Sequence, residues 1–190
     1  IRNNDLNLIN GEVILNGQGM GKNATANLTT QLQRLDYNGY AYSNISANGK
    51  LNNNNYIGVL KINDPNLQFQ FDVVLNMHKD SAKFSAVGEL QKSNFKTIGF
   101  TKDNLQVSGL FDFNFKGKNI DDFSGYIKMF NTNMLHEGTR LNLDSVVLQA
   151  STQGFIKTLS LQTNEIDASI TGEYKIMQLG EAFKRLLHQY

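Results

Sequence analysis

Leu67-Gln68-Phe69-Gln70-Phe71-Asp72-Val73-Val74-Leu75-Asn76-Met77 sets an apolar side chain at every second position. Successive side chains of a strand point to opposite faces, so this stretch reads as a β-strand with one face buried and the other in water. Ten steps at about 3.3 Å each give roughly 33 Å, longer than the usual globular strand.

The same period recurs on both sides of it. Leu105, Val107, Gly109, Phe111, Phe113 and Phe115 alternate with Gln106, Ser108, Leu110, Asp112 and Asn114, and Ile166, Ala168, Ile170, Gly172, Tyr174 and Ile176 alternate with polar residues. Ala82, Phe84, Ala86, Gly88 and Leu90 form a shorter run. Segments 40–51, 56–63, 123–134, 141–150 and 155–163 read as strands with less clean alternation, and 6–16 and 24–35 are weaker again. Asp64-Pro65-Asn66, His78-Lys79-Asp80-Ser81, Lys116-Gly117-Lys118-Asn119, Glu137-Gly138-Thr139 and Thr163-Asn164-Glu165 supply turn chemistry between them. Strand follows strand with no helix between, which argues against parallel βαβ units and for a long antiparallel meander. A glycine followed by alternating apolar residues repeats at Gly58, Gly109, Gly125 and Gly172, and more faintly at Gly11. Repeated across a sheet, such glycines would let it coil around a common axis, although glycine-bearing strands are common in any β protein. Past residue 177 the period changes. Leu179, Phe183, Leu186, Leu187 and Tyr190 share one helical face, predicting a single C-terminal amphipathic helix.

Composition removes several functions. The 190 residues suit one domain or a slice of a longer chain, and the opening Ile1-Arg2-Asn3-Asn4 leads us to expect a piece of a longer protein. Net charge is +1 with lysine and arginine scattered singly, so no basic stripe can displace counterions from a nucleic acid. The absence of cysteine excludes disulfides, thiolate metal sites and thiol chemistry. Asn16-Gly17-Gln18-Gly19-Met20-Gly21-Lys22 lacks the spacing of a phosphate loop. His78, His136 and His188 stand far apart with no metal-ligand partners, and Asp121-Asp122 lacks the alternating oxygen ligands of a calcium loop. No serine sits in a nucleophile context, so no catalytic site, metal or cofactor is expected.

The apolar face is therefore the feature to explain. Alternation alone fits a closed sandwich or barrel core, a transmembrane barrel, or a face that meets lipid. Tyr37-Asn38-Gly39-Tyr40-Ala41-Tyr42-Ser43-Asn44-Ile45-Ser46-Ala47-Asn48-Gly49-Lys50-Leu51, followed by Gly58-Val59-Leu60-Lys61-Ile62-Asn63-Asp64-Pro65-Asn66-Leu67, resembles the TamB (translocation and assembly module) proteins of Bacteroidota type, members of the AsmA-like superfamily. Those show a strand patterned gy-x-Y-x-n-I-x-x-x-G and then a strand and turn patterned G-x-l-x-i-x-D-P-N-l. Leu105 to Tyr126, Leu141 to Ala150 and the tail from Ile166 to Tyr190 are similar too, so the resemblance covers most of the chain.

The resemblance implies an all-β meander curved into a trough, the β-taco. It also implies a place in a periplasmic bridge between inner and outer membranes, with an inner-membrane anchor elsewhere in the full-length chain. It further implies phospholipid transport, support of outer-membrane protein assembly, and two partners: phospholipid acyl chains and barrel-type outer-membrane assembly proteins. Severed sheet edges would also allow self-association. The expected groove lining is Leu67, Phe69, Phe71, Val73, Leu75, Leu105, Val107, Phe111, Phe113, Ile166, Ile170 and Tyr174. The alternative expectation is a closed sandwich or barrel that serves a cell-envelope protein as a structural or interaction module with no lipid path.

Overall fold

The computed structural model describes residues 6–19, 25–78, 82–117 and 124–175. They form eleven strands: β1 (Leu6–Gln18), β2 (Thr25–Tyr37), β3 (Tyr40–Asn52), β4 (Asn55–Asp64), β5 (Leu67–Asn76), β6 (Lys83–Ser93), β7 (Leu105–Lys116), β8 (Ser124–His136), β9 (Thr139–Gln153), β10 (Ile156–Thr163) and β11 (Asp167–Gly172). All belong to one antiparallel sheet whose spatial order is the sequence order. β1 and β11 are its two edges and do not pair with each other, so the sheet is curved but open. The predicted helix past residue 177, His188, Met20 to Lys22 and Asp121-Asp122 lie outside the described residues.

The turns sort onto two ends. Asn38-Gly39, Pro65-Asn66, residues 94–104, Glu137-Gly138 and residues 164–166 lie at one, called here the near end. Asn53-Asn54 and Gly154-Phe155 lie at the far end. Left-handed backbone shapes the two-residue turns Asn38-Gly39, with φ of 49° and 77°, and Glu137-Gly138, with 46° and 87°, whereas Pro65-Asn66 turns without it.

The strands are bent a few residues from the near end. The β1–β2 register slips between Asn10 and Gly11, β5–β6 between Gln68 and Phe69, and β7–β8 between Ser108 and Leu110. Asn44 and Asn131 take the left-handed conformation here, with φ of 51° and 48°. Each bulge adds twist and turns the following residues to the other face. Together they form a crease across the sheet, and the tightest packing sits beside it. Tyr42, Ile45, Leu67, Leu90, Ile98, Val107 and Phe111 make one buried cluster.

Candidate functional site: the apolar face of the sheet

The pairing registers place the alternating residues in unbroken rows across the strands. One row runs Leu15, Leu28, Gly49, Gly58, Val73, Ala86, Phe113, Ile127, Leu148, Leu161 and Ala168. A second runs Val13, Thr30, Ala47, Leu60, Phe71, Gly88, Phe111, Met129 and Val146. A third carries Leu51, Tyr56, Leu75, Phe84, Phe115, Gly125, Ala150, Leu159 and Ile170. The first row crosses all eleven strands, and ten strand spacings at about 4.8 Å make it roughly 48 Å long. None of the three contains a charged residue. Burial pushes the Tyr56 phenol up from its ordinary value.

Aromatic rings thicken the middle of this face. Phe71 lies 5.7 Å from Phe113 and 6.5 Å from Phe111, ring centre to ring centre, although β6 runs between their strands. Phe111 stacks on Phe113 at 5.5 Å. The contact across β6 depends on Gly88. A methyl group there would come 2.7 Å from Phe71 Cδ1 and would also meet the Gln70 carbonyl oxygen. The glycine therefore lets one ring cover the neighbouring strand's backbone.

The sequence-predicted lining falls into three groups. Phe69, Phe71, Val73 and Leu75 on β5 and Phe113 on β7 are half-buried on the shared face, together with Leu105 and Ile170. Leu67, Val107 and Phe111 are on that face but belong to the packed cluster. Ile166 and Tyr174 flank β11 on either side; Ile166 is 59% exposed, and Tyr174 is half-buried. The β11 strand is shorter than its alternation predicts.

Sequence reasoning missed the polar side chains beneath the crease. Asp64 is 1% exposed. Its carboxylate accepts from Tyr40 Oη at 2.6 Å, the Ser43 amide at 3.0 Å, Ser43 Oγ at 2.9 Å and the Asn66 amide at 2.8 Å. The β3–β4 ladder ends at Ile45–Ile62, and beyond it this carboxylate stands in for the missing ladder bonds. Ser93 does the same between β6 and β7: its hydroxyl donates to the Val107 carbonyl at 2.7 Å and accepts from the Val107 amide at 2.8 Å. Burial alone would raise the Asp64 carboxyl, but the bonds from Tyr40, Asn66 and Ser43 outweigh it and hold the group below the ordinary carboxylate value. Burial and the Asp64 contact push the Tyr40 phenol up. Asp64-Pro65-Asn66 is legible as a turn; its role as a clamp would have needed knowledge that β3 bulges at Asn44.

The second thing missed is the covering of the near end. Residues 94–104 fold over the crease, and Ile98 is wholly buried among the cluster residues. Elsewhere, among the described residues, exposure along the face is uneven: Ala86, Val146 and Ala150 in the rows are buried between their neighbours, whereas the edge strand is open. On β1, Val13 and Leu15 point to the same face as Phe71 and Val73 yet are 60% and 63% exposed. Among the described residues no second sheet lies over the rows.

No other constellation competes. His78 and His136 are exposed, and no group of three or more histidine, cysteine or acidic residues among the described residues could hold a metal. No described helix is long and apolar enough to cross a membrane. Comparison with family models, curated proteins and solved structures found no match for this chain.

Proposed function

We propose that this chain is a segment of a TamB-like, AsmA-type periplasmic bridge that conducts phospholipid along an apolar groove toward the outer membrane and supports outer-membrane protein assembly. The observation that carries the reading is the set of uncharged rows crossing a single open sheet, with apolar side chains left uncovered on β1. Each methylene removed from water is worth about 0.8 kcal/mol, so an acyl chain of about a dozen carbons faces a barrier near 10 kcal/mol in free aqueous transit. A continuous apolar face lowers that barrier at every step without holding one lipid tightly. The rows supply many similar weak contacts, and transport along them needs no polar selector.

The test is a charge in the row. Phe71→Asp and Phe113→Asp in the full-length protein block phospholipid delivery to the outer membrane, while Gln70→Glu on the opposite face leaves it unchanged. Delivery that survives both aspartates in folded protein would refute the groove. The packed cluster around Ile98 favours a second reading, a structural module of the cell envelope whose apolar face is only a core. That reading predicts no phospholipid on the purified chain.

A further inference from the structure

The joint between β6 and β7 is out of proportion to its neighbours. It spans eleven residues, 94–104, where the other near-end joints have two or three. Its base is firmly held. The Asn94 amide donates to the Asn66 carbonyl at 2.8 Å, the Asn104 amide to Glu137 Oε1 at 2.6 Å, and the Glu137 amide to the Asn104 carbonyl at 3.0 Å. Inside the loop, Asn94 Oδ1 accepts from the Thr97 amide, and the Phe95 carbonyl accepts from the amides of Phe100 and Thr101.

The tip reaches across to the β2–β3 hairpin. Tyr42 Oη donates to the Ile98 carbonyl at 3.3 Å and Asn38 Nδ2 to the Gly99 carbonyl at 3.2 Å. Gly99 has φ +79°, and a methyl group there would lie 3.2 Å from the Asn38 carbonyl oxygen, so the crossing uses glycine's freedom and small size. The tip thus has two long hydrogen bonds and one completely buried side chain, Ile98, inserted between strands that are not neighbours in the sheet.

We infer that residues 94–104 are a strap that shuts the near end of the apolar face, so that a phospholipid can lie in the groove in one sense only, with its headgroup at the far end. This rests on the lipid-groove reading above. Under the strap the space is filled by Ile98 and its cluster, and a charged headgroup there would displace packed hydrocarbon and remain unsolvated. At the far end the two fully described joints, Asn53-Asn54 and Gly154-Phe155, have two residues each and form no such strap, and Asn52, Asn53 and Gln153 are exposed polar groups.

Two positions on the outward side of β3, Ala41 near the strap and Asn52 at the far end, are eleven residues apart, roughly 36 Å along the strand. A fluorophore is attached through Ala41→Cys in one protein and Asn52→Cys in another; the chain has no other cysteine. Each is loaded with phosphatidylcholine carrying a nitroxide on its headgroup, and loading is scored separately by phosphate analysis. Quenching is expected at 52 and not at 41, and Ile98→Ser is expected to bring quenching at 41 up to that at 52. Loaded protein quenched equally at both positions would overturn the strap while leaving the groove intact. A folded Ile98→Ser protein that still excludes the headgroup from position 41 would also overturn it. Protein that takes up no phospholipid at all would instead refute the groove reading. Should Ile98→Ser fail to fold, the comparison of 41 with 52 in the protein with its native strap still decides.

Discussion

The same alternating sequence does two different things on one sheet. Beneath the strap, Leu67, Leu90, Val107 and Phe111 are interlocked with Ile98, Tyr42 and Ile45. At the β1 edge, Val13 and Leu15 occupy the same face but, among the described residues, meet no opposing layer. A strand's pattern fixes which face is apolar, whereas what covers that face is decided by a loop many residues away. One part of the sheet is therefore a core that stabilises the fold, and another is a surface available to something else.

The largest effect should separate those two parts. Ile98→Ala is expected to cost about 3 kcal/mol of stability in urea unfolding, the loss of a buried side chain plus the cavity it leaves. Leu15→Ala, an equally apolar deletion on the same face, is expected to cost under about 1 kcal/mol because the side chain is already in water. Equal losses would erase the distinction.

Gly88→Ala tests whether the aromatic wall needs the close approach over β6. An added methyl against the Gln70 carbonyl and the Phe71 ring should cost about 2 kcal/mol, in the range of overpacked cores. Gly154→Ala meets nothing within 4 Å, but its φ of +62° makes it a backbone control rather than a packing one.

Asp64→Asn probes the clamp at the crease and should cost about 2 kcal/mol, in the range of hydrogen bonds to a charged group. It should also change the acid limb. The folded carboxyl sits below its unfolded value near about pH 4, so its contribution is present above that pH and disappears as pH falls through the lower folded value. The parent should therefore lose stability across that acid window more steeply than Asp64→Asn. The smallest effect belongs to the exposed Arg34–Asp36 pair, 2.7 Å apart on one strand, whose removal should leave the unfolding midpoint unchanged.

The fold was legible where strands carry a single phase. Residues 67–77 and 105–115 alternate without interruption, and β5 and β7 carry their residues on one face throughout. Four of the segments with muddied alternation, 24–35, 40–51, 123–134 and 141–150, cross the crease. The pattern shifts phase between Leu32 and Leu35, Tyr42 and Ile45, Met129 and Thr132, and Leu143 and Val146, where Gln33, Asn44, Asn131 and Asp144 sit at the bend. A period-two template misreads a strand whose phase flips midway, though the two left-handed asparagines mark the flips locally. The strap was illegible for a different reason. Asn94-Phe95-Lys96-Thr97-Ile98-Gly99-Phe100-Thr101-Lys102-Asp103-Asn104 has no period of its own, and Ile98 is buried only because the curled sheet brings β3 within reach. The apolar rows were legible because they follow from alternation plus register.

The central claim is that the rows through Phe71 and Phe113 carry hydrocarbon, and in-cell photo-crosslinking from those two positions tests it most directly. A benzophenone side chain at either site should yield adducts with phospholipid, and one at Gln70 on the opposite face should not. Adducts with protein alone at Phe71 and Phe113, or equal lipid adducts from Gln70, would contradict the account.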